Sequence, residues 1–276
     1  MTRQRLGQHF LADAGWREKI ARAIRISPHG TASPAAAKPY CWIEVGGGHG
    51  EMTEQLVKSG EPVYCIEIDL RLIPRLRQLS SRFPNLFVVH RDILETDLGS
   101  LAGEHRLRVY GNLPYYITSP ILHHLFKFSS LIDEIHIVMQ LEVALRLAAR
   151  PGTRDYGYLS VLTQFHSKPC IALKIPPGAF RPPPKVGSAL VSLVLPGEGA
   201  RLAIGDEGRF FDFMKMCFAQ KRKTLLNNLR AAADPEEIKT ALNTMGLKSG
   251  ARAEELSIEQ FARLYCVLPQ KNGPTL

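Results

Sequence analysis

The 276-residue sequence has little cysteine and no long apolar run. No stretch of 18 consecutive apolar residues occurs, so we expect no membrane span. The basic residues near the amino terminus are followed by no apolar segment of signal length. The cysteines are odd in number, widely spaced and without a CxxC pair: Cys41, Cys65, Cys170, Cys217 and Cys266. This usage argues against structural zinc and a disulfide framework, and it predicts a cytoplasmic protein without a metal.

Positive charge is in excess. Lys and Arg number 35 against 26 Asp and Glu, which gives a net charge of +9 at pH 7. The first 25 residues contain six basic residues against two acids, and residues 145–185 contain seven against one. Clusters of this kind favour a polyanionic partner such as a nucleic acid. The alternative is that they are solvated faces of ordinary helices.

Apolar runs alternate with amphipathic segments over most of the chain, which indicates βαβ units and a parallel sheet. Helices are predicted first at 51–59 and 70–82. Strands are predicted at 41–45, 63–68, 86–90, 107–110, 135–139, 171–175 and 189–195. Beyond residues 196–199 only helical spacing remains, at 207–219, 222–233, 235–245 and 254–268. We therefore predict an α/β Rossmann-like domain at residues 1–199 and a helical domain at residues 200–276.

A glycine-rich segment, residues 46–50 (GGGHG), follows the first predicted strand and precedes a helix. We call it the glycine turn. Glycine permits positive φ and close approach of a ligand, and a helix that begins there presents free N–H groups. Glu67 comes about 20 residues later, after the second strand, where an acidic residue can bind a ribose diol. The alternative is a tight strand-to-helix turn without a ligand.

The residues around the glycine turn favour S-adenosylmethionine over NAD. The dinucleotide fingerprint needs a small residue where Glu51 stands. Glu44, just before the glycines, would repel a pyrophosphate, whereas a cofactor with a cationic aminoacyl end would tolerate it. Asp92, after the third strand, could accept a hydrogen bond from the amine of an adenine. Its alternative role is a helix N-cap.

The segment Asn112-Leu113-Pro114-Tyr115-Tyr116 follows the fourth predicted strand, where open α/β sheets place their ligands. The N6 amine of adenine is a poor nucleophile because its lone pair is delocalised into the ring. Acceptors that face its hydrogens, such as the Asn112 side-chain oxygen and the Leu113 carbonyl, would favour sp³ geometry. A tyrosine could stack on the extracted base. The alternative is a polar turn with tyrosines in the core.

Five motifs in this order resemble those of the ribosomal RNA adenine dimethyltransferase family, and specifically its small-subunit branch. They lie at 6–11 (LGQHFL), 44–50 (EVGGGHG), 112–115 (NLPY), 180–188 (FRPPPKVGS) and 218–225 (FAQKRKTL). The resemblance implies a seven-stranded methyltransferase sheet with an appended helical domain. It also implies S-adenosylmethionine-dependent N6,N6-dimethylation of two adjacent adenosines near the 3′ end of 16S rRNA.

The resemblance also implies roles for single residues. Asn112, Leu113, Pro114 and Tyr115 would be catalytic. The cofactor would be bound by His9, Leu11, Gly46, Gly48, Glu67, Asp92 and Asn112. The target RNA would meet Tyr116, Phe180, Lys221, Arg222 and Lys223, with Phe180 stacking on the base unless its proline-rich neighbourhood is only a stiff strand entry.

Three positions depart from the family pattern. His9 stands where Asn is frequent, so its contact could use the backbone or the imidazole. Gly47 replaces the usual Pro. Tyr116 stands where Asn or Ser is frequent, which leaves open which tyrosine stacks, although position favours Tyr115. Two other function classes remain: the large-subunit rRNA dimethyltransferase branch, which usually has Ile at the Leu113 position, and a non-catalytic ribosome assembly factor. No dimerisation heptads occur, so we expect a monomer.

Overall fold

The computed structural model describes residues 9–25, 39–114, 116–202 and 204–268. Within these ranges, nine strands form a seven-stranded sheet and a separate two-stranded ribbon. The strands are β1 (Phe10–Leu11), β2 (Tyr40–Val45), β3 (Val63–Glu67), β4 (Leu86–His90), β5 (Arg106–Asn112), β6 (Ile132–Gln140), β7 (Lys168–Ile175), β8 (Phe180–Arg181) and β9 (Ser188–Val194). All seven strands expected from the sequence are present in the large sheet, so the predicted fold class is confirmed.

The large sheet has the order β4-β3-β2-β5-β6-β9-β7. Strands β2 to β6 pair in parallel, whereas β9 runs antiparallel to both of its neighbours. The parallel pairing expected from the alternating strands and helices is thus present in β2 to β6, and β9 makes the sheet mixed. The link between β7 and β9, residues 176–187, contains no α-helix, whereas the crossover between parallel neighbours is usually a helix.

The chain reverses its direction of travel across the sheet at β2. From β2 it passes through β3 to the edge strand β4, then crosses back to β5 on the other side of β2. Ligands of open α/β sheets bind at such a switch point, outside the carboxyl ends of the strands. β2 is buried from Cys41 to Val45, which fixes this point in the interior of the sheet.

Helices connect the strands of the sheet and make up most of the carboxyl-terminal region. They are α1 (Ala14–Ala23), α2 (Thr53–Leu56), α3 (Ile73–Ser80), α4 (Leu98–Ala102), α5 (Thr118–Phe126), α6 (Leu141–Leu147), α7 (Tyr158–His166), α8 (Glu207–Cys217), α9 (Leu225–Leu229), α10 (Pro235–Thr244) and α11 (Ile258–Val267). Six of the described helices are capped at their amino termini by side chains of Asp13, Asp97, Asp206, Thr224, Asp234 and Ser257. In the described part of the chain, no helix is long and apolar enough to cross a membrane.

The ribbon of β1 and β8 joins two of the sequence motifs. Phe10 pairs with Arg181 and Leu11 with Phe180, in antiparallel register. Leu11 and Phe180 are 3% and 1% exposed and belong to the hydrophobic core. This placement corrects the expectation that the Phe180 ring stacks on the target base, because a ring enclosed by core side chains offers no face to a ligand.

Contacts divide the described residues into two compact units. The sheet unit comprises the residues up to Ala144 together with Lys168–Pro196, and the helical unit comprises Leu145–Ser167 and the residues from Gly197 onward. Phe165 of α7 shows why the inserted segment belongs to the helical unit, since its ring lies 5.5 Å from that of Phe210 in α8. The sequence did not indicate this insertion, because strand and helix signals on both sides of it looked continuous.

Candidate active site

A cavity lies at the carboxyl ends of β2, β3, β4 and β5, at the switch point of the sheet. Most of the residues predicted for the cofactor and for catalysis line it together: His9, Gly46, Gly48, Glu67, Asp92, Asn112, Leu113 and Pro114, with Tyr116 beside them. These residues come from five separate parts of the sequence. The parallel register of β2 to β5 places the four strand ends at one edge, and this is why they meet.

The glycine turn is held open by the backbone and by one carboxylate. Gly46 and Gly48 have φ angles of 76° and 58°, a region that residues with side chains rarely occupy. The Gly48 N–H donates to Glu67 Oε2 at 3.0 Å, and the Asp69 N–H donates to Glu67 Oε1 at 2.8 Å. Glu67 thus fixes the turn as well as lining the cavity, and sequence reasoning assigned it only the second role.

Gly47, one of the departures from the family pattern, has a local cause. A Cβ built at Gly47 would lie too close to the Cys65 sulfur of β3 and 3.2 Å from the Leu76 side chain. A proline ring could not occupy this position unless the thiol moved. The Cys65 side chain therefore leaves room only for a glycine at position 47.

Glu44 does not face the cavity. It is 1% exposed, and its Oε2 accepts a 2.6 Å hydrogen bond from Thr53 Oγ1. Burial raises the pKa of the Glu44 carboxyl to about 8. The argument that a charge at Glu44 discriminates against a pyrophosphate is therefore weakened, since the side chain is enclosed and its burial disfavours the charged form.

Asp92 lines the cavity and also caps a short 3₁₀ helix, Ile93–Glu95. Its Oδ1 accepts from the Leu94 N–H at 2.9 Å. The two roles considered for this residue are compatible, because a carboxylate has a second oxygen that can accept further hydrogen bonds.

Asn112 and His9 are joined at the cavity wall. Asn112 Nδ2 donates to the His9 carbonyl at 2.8 Å, which identifies Oδ1 as the acceptor end of the amide. His9 Nδ1 lies 2.7 Å from the Pro182 carbonyl, so the imidazole carries a hydrogen at Nδ1. The backbone and the imidazole of His9 both hold the amino-terminal motif in place, and its contact with the cofactor stays a prediction.

Only one of the two tyrosines in the motif, Tyr116, is among the described residues. Tyr116 lines the cavity and is 67% exposed, so its ring is available to stack on a base. Tyr115 lies outside the described residues, and its catalytic role stays a prediction. Leu113 is buried, and its N–H donates to the Val138 carbonyl of β6 at 3.1 Å, which fixes the start of the motif.

Apolar residues of the cavity were missed by sequence reasoning. They are Phe10, Val45, Ile66, Ile68, Ile93, Ile117 and Ile121, and Arg91 joins them at the rim. Ile68 is 53% exposed although it directly follows β3. Its place next to Glu67 was a usable signal, because a flat ring bound beside a ribose needs an apolar cover.

Two groups of predicted site residues lie elsewhere. Leu11 and Phe180 are in the core, as described above. Lys221, Arg222 and Lys223 belong to the helical unit, where they form an exposed turn between α8 and α9. They do not start a helix, as the prediction of one at 222–233 required, because Thr224 is the N-cap of a helix that begins only at Leu225.

Comparison with known proteins identifies the family. The model of the ribosomal RNA adenine dimethylase family matches residues 1–270. The chain belongs to this family. It is 42% identical over 271 residues to the ribosomal RNA small subunit methyltransferase A of Acidobacterium capsulatum, an alignment that covers 97% of this chain and 92% of the relative. The expected enzyme class, an rRNA adenine dimethyltransferase, is thereby confirmed.

Two solved structures are similar to this member of the adenine dimethylase family. The 23S rRNA methyltransferase ErmE is 27% identical with a TM-score of 0.68, over 94% of this chain and 99% of ErmE. A dimethyladenosine transferase from Plasmodium falciparum is 24% identical with a TM-score of 0.74, over 93% of this chain and 96% of its own, and it supports the fold alone. Among the described residues, no group of three or more His, Cys, Asp or Glu side chains could hold a metal ion.

Proposed function

We propose that this chain uses S-adenosylmethionine to dimethylate N6 of two adjacent adenosines near the 3′ end of 16S rRNA in the small ribosomal subunit. The observation that carries the proposal is the joint placement of the glycine turn and the Asn112–Pro114 motif on one cavity. The 42% identity to a small subunit methyltransferase, against 27% to a 23S rRNA methyltransferase, favours the small subunit over the large one.

The cavity fits a nucleoside with an aminoacyl arm. Glycine at positions 46 and 48 leaves room for a ligand beside the turn. A Cβ at Gly48 would lie 3.2 Å from the Phe10 ring and would fill part of that room. Glu67 and Asp92 supply acceptors for ribose hydroxyls and for an adenine amine, and Ile68 supplies an apolar cover for the ring. When bound, S-adenosylmethionine supplies an electrophilic methyl group on a sulfonium sulfur.

Asn112 is the residue to which we assign the chemistry on the target amine. Its Oδ1 would accept a hydrogen bond from N6 as the nitrogen becomes tetrahedral and cationic, and the bond from Nδ2 to the His9 carbonyl keeps the amide in that orientation. The Leu113 carbonyl is the candidate for a second acceptor. Once methylated, the amine is acidic and loses its proton, so no side chain is assigned as an obligatory base.

The helical unit would hold the rRNA by its phosphates, through Lys221, Arg222 and Lys223. Binding to phosphates positions a nucleic acid without reading its sequence. We propose that the enzyme works in the cytoplasm as a monomer on the small subunit or its precursor, without a metal ion.

Mass mapping of rRNA from cells with and without the protein tests the function. We expect two adjacent dimethyladenosines near the 3′ end of 16S rRNA to disappear with the gene and to return with the wild-type protein. Loss of a 23S rRNA modification instead would place the enzyme in the large-subunit branch. An unchanged modification pattern together with defective subunits would indicate a non-catalytic assembly factor.

A further inference from the structure

Glu44 and Thr53 form a buried hydrogen bond across the base of the glycine turn. Glu44 lies in β2 two residues before Gly46, and Thr53 is the first residue of α2. The bond from Thr53 Oγ1 to Glu44 Oε2 is 2.6 Å long, and the two residues are 0% and 1% exposed. The bond therefore closes a loop that contains every residue of the turn.

Two further contacts lie around this bond. The Cys65 side chain of β3 acts on the pKa of the Glu44 carboxyl, and its sulfur occupies the space where a side chain at Gly47 would lie. On the other side of the turn, Glu67 accepts from the Gly48 N–H. The segment between β2 and α2 is thus held at its base by Glu44 and at its middle by Glu67.

Among the described residues, no cationic side chain acts on the Glu44 carboxyl. The groups that do are Thr53 of α2, Cys65 and Glu67 of β3, Glu51 of the segment before α2, and Tyr110 of β5. Burial raises the pKa of the Glu44 carboxyl, and the acidic Glu51 and Glu67 add to that effect. A negative charge at Glu44 would be enclosed without a cationic partner, which is costly.

We infer that Glu44 is a positioning residue, which holds the glycine turn in its ligand-binding shape through Thr53 as an uncharged carboxylic acid. It acts on the cofactor only through the turn and does not touch it. The inference rests on the proposed function in one respect, namely that the cavity takes the methyl donor. In this role Glu44 acts through a hydrogen bond and not through the negative charge that the sequence analysis considered.

Calorimetry with S-adenosylhomocysteine, the demethylated product, tests the inference. We expect Thr53→Val to weaken binding about tenfold, because it leaves a buried acceptor unsatisfied, and Thr53→Ser to restore most of the affinity. Glu44→Ala should weaken binding similarly, whereas Glu44→Gln should restore most of it, because an amide oxygen still accepts from Thr53. Thr163→Val is the matched control, since Thr163 is equally buried and its hydroxyl has no hydrogen-bond partner among the described residues.

The pH dependence of thermal unfolding gives a second readout. The folded pKa of Glu44 is about 8, above its ordinary value of 4.5, so the folded state holds one more proton than the unfolded state between these values. Its contribution to the free energy of unfolding therefore falls as pH rises through this window. The free energy of unfolding of Glu44→Gln, relative to that of the wild type, should therefore rise from pH 5 to pH 8 and stay constant above pH 8.

The two failures are distinguishable. If the wild type binds neither S-adenosylmethionine nor its product, the proposed function fails, and the state of Glu44 is then decided by the unfolding profile. If the wild type binds but Glu44→Gln loses as much affinity as Glu44→Ala, Glu44 contacts the ligand through its charge and the inference is overturned. Unchanged affinity in Thr53→Val, or a Glu44→Gln profile parallel to that of the wild type, also overturns it.

Discussion

The cavity of the sheet unit and the basic turn of the helical unit hold their side chains in different ways. In the cavity, Glu67 is 3% exposed and each of its oxygens accepts a backbone N–H, and Asn112 is oriented by the His9 carbonyl. In the basic turn (Lys221, Arg222 and Lys223) all three side chains are exposed. Lys221 donates to the Arg154 carbonyl. Within the described residues, neither Arg222 nor Lys223 forms an ion pair.

The difference matches two kinds of recognition. A methyl-transfer site must present acceptors at defined positions as charge develops, and preorganised groups do this without further cost of reorganisation. Phosphates of a long polyanion are recognised by charge, largely through release of counterions, and this needs no fixed geometry. Substitutions in the cavity should therefore change turnover or cofactor affinity, and substitutions in the basic turn should change salt-dependent RNA affinity.

The largest expected effect belongs to Asn112. Asn112→Ala should lower turnover about 10²–10³-fold, as the loss of a preorganised group does elsewhere, because its acceptor matters most when the amine becomes cationic. Single-turnover methylation with saturating small subunits measures the rate, and filter binding measures RNA affinity. Affinity for the subunit should change little. A comparable loss of affinity with normal turnover at saturation would place Asn112 in substrate binding instead.

Asn112→Asp is a sharper variant of the same test. It keeps the size and an acceptor oxygen but removes the Nδ2–H donor to the His9 carbonyl. If orientation by His9 matters, turnover should fall although an acceptor remains. Full activity would show that acceptance alone suffices and that the bond to His9 serves only the amino-terminal segment.

The residues predicted for the cofactor and for catalysis lie together in the structure because their sequence signals are tied to strand ends. Glycines, Glu67, Asp92 and Asn112 each follow an apolar run, and parallel pairing brings such positions to one edge. The sequence did not predict that the Phe180 ring lies in the core, because its position depends on a contact that is distant in the sequence. The direction of the ring is set by the pairing of β8 with β1, and this pairing joins segments about 170 residues apart.

The helical unit was predicted less well. Apolar spacing indicated a helix over 222–233, yet the helix spans only Leu225–Leu229. Asn228 explains the shorter helix, because its Nδ2 donates to the Cys217 carbonyl at 2.7 Å and to the Gln220 carbonyl at 3.2 Å. These two hydrogen bonds hold the residues before Thr224 in a turn. The spacing of apolar residues in the sequence does not predict them.

A smaller effect on cofactor affinity is expected at Glu67. Glu67→Gln keeps one acceptor oxygen but turns an NH₂ group toward a backbone N–H, so one of the bonds to Gly48 or Asp69 must be lost. A lost hydrogen bond to a charged group costs about 1.5–3 kcal/mol, or tenfold and more in affinity. Calorimetry with S-adenosylmethionine and its demethylated product measures it. RNA affinity and its salt dependence should stay as in the wild type, and a parallel loss of both would contradict the separation of the two regions.

The smallest expected effect concerns the basic turn, and it separates the two regions most cleanly. Replacing Lys221, Arg222 and Lys223 by Gln should reduce the slope of log affinity against log salt by about 2–3, if each side chain meets one phosphate. Binding to small subunits over a range of salt concentrations measures the slope. Cofactor affinity should not change, and the variant should modify the same adenosines more slowly, since phosphate contacts position without specifying.

A matched control removes the same charge from the same unit. Arg201, Arg209 and Lys239 each lie beside a carboxylate, of Glu259, Asp206 and Glu236 respectively, at 3.6, 3.5 and 2.6 Å. Their replacement by Gln lowers the net charge by three, as in the basic-turn variant, but it removes cations that already have partners. The control should leave the salt slope nearly unchanged. If both variants reduce the slope equally, only the net charge of the unit attracts the RNA, and the basic turn is not a contact site.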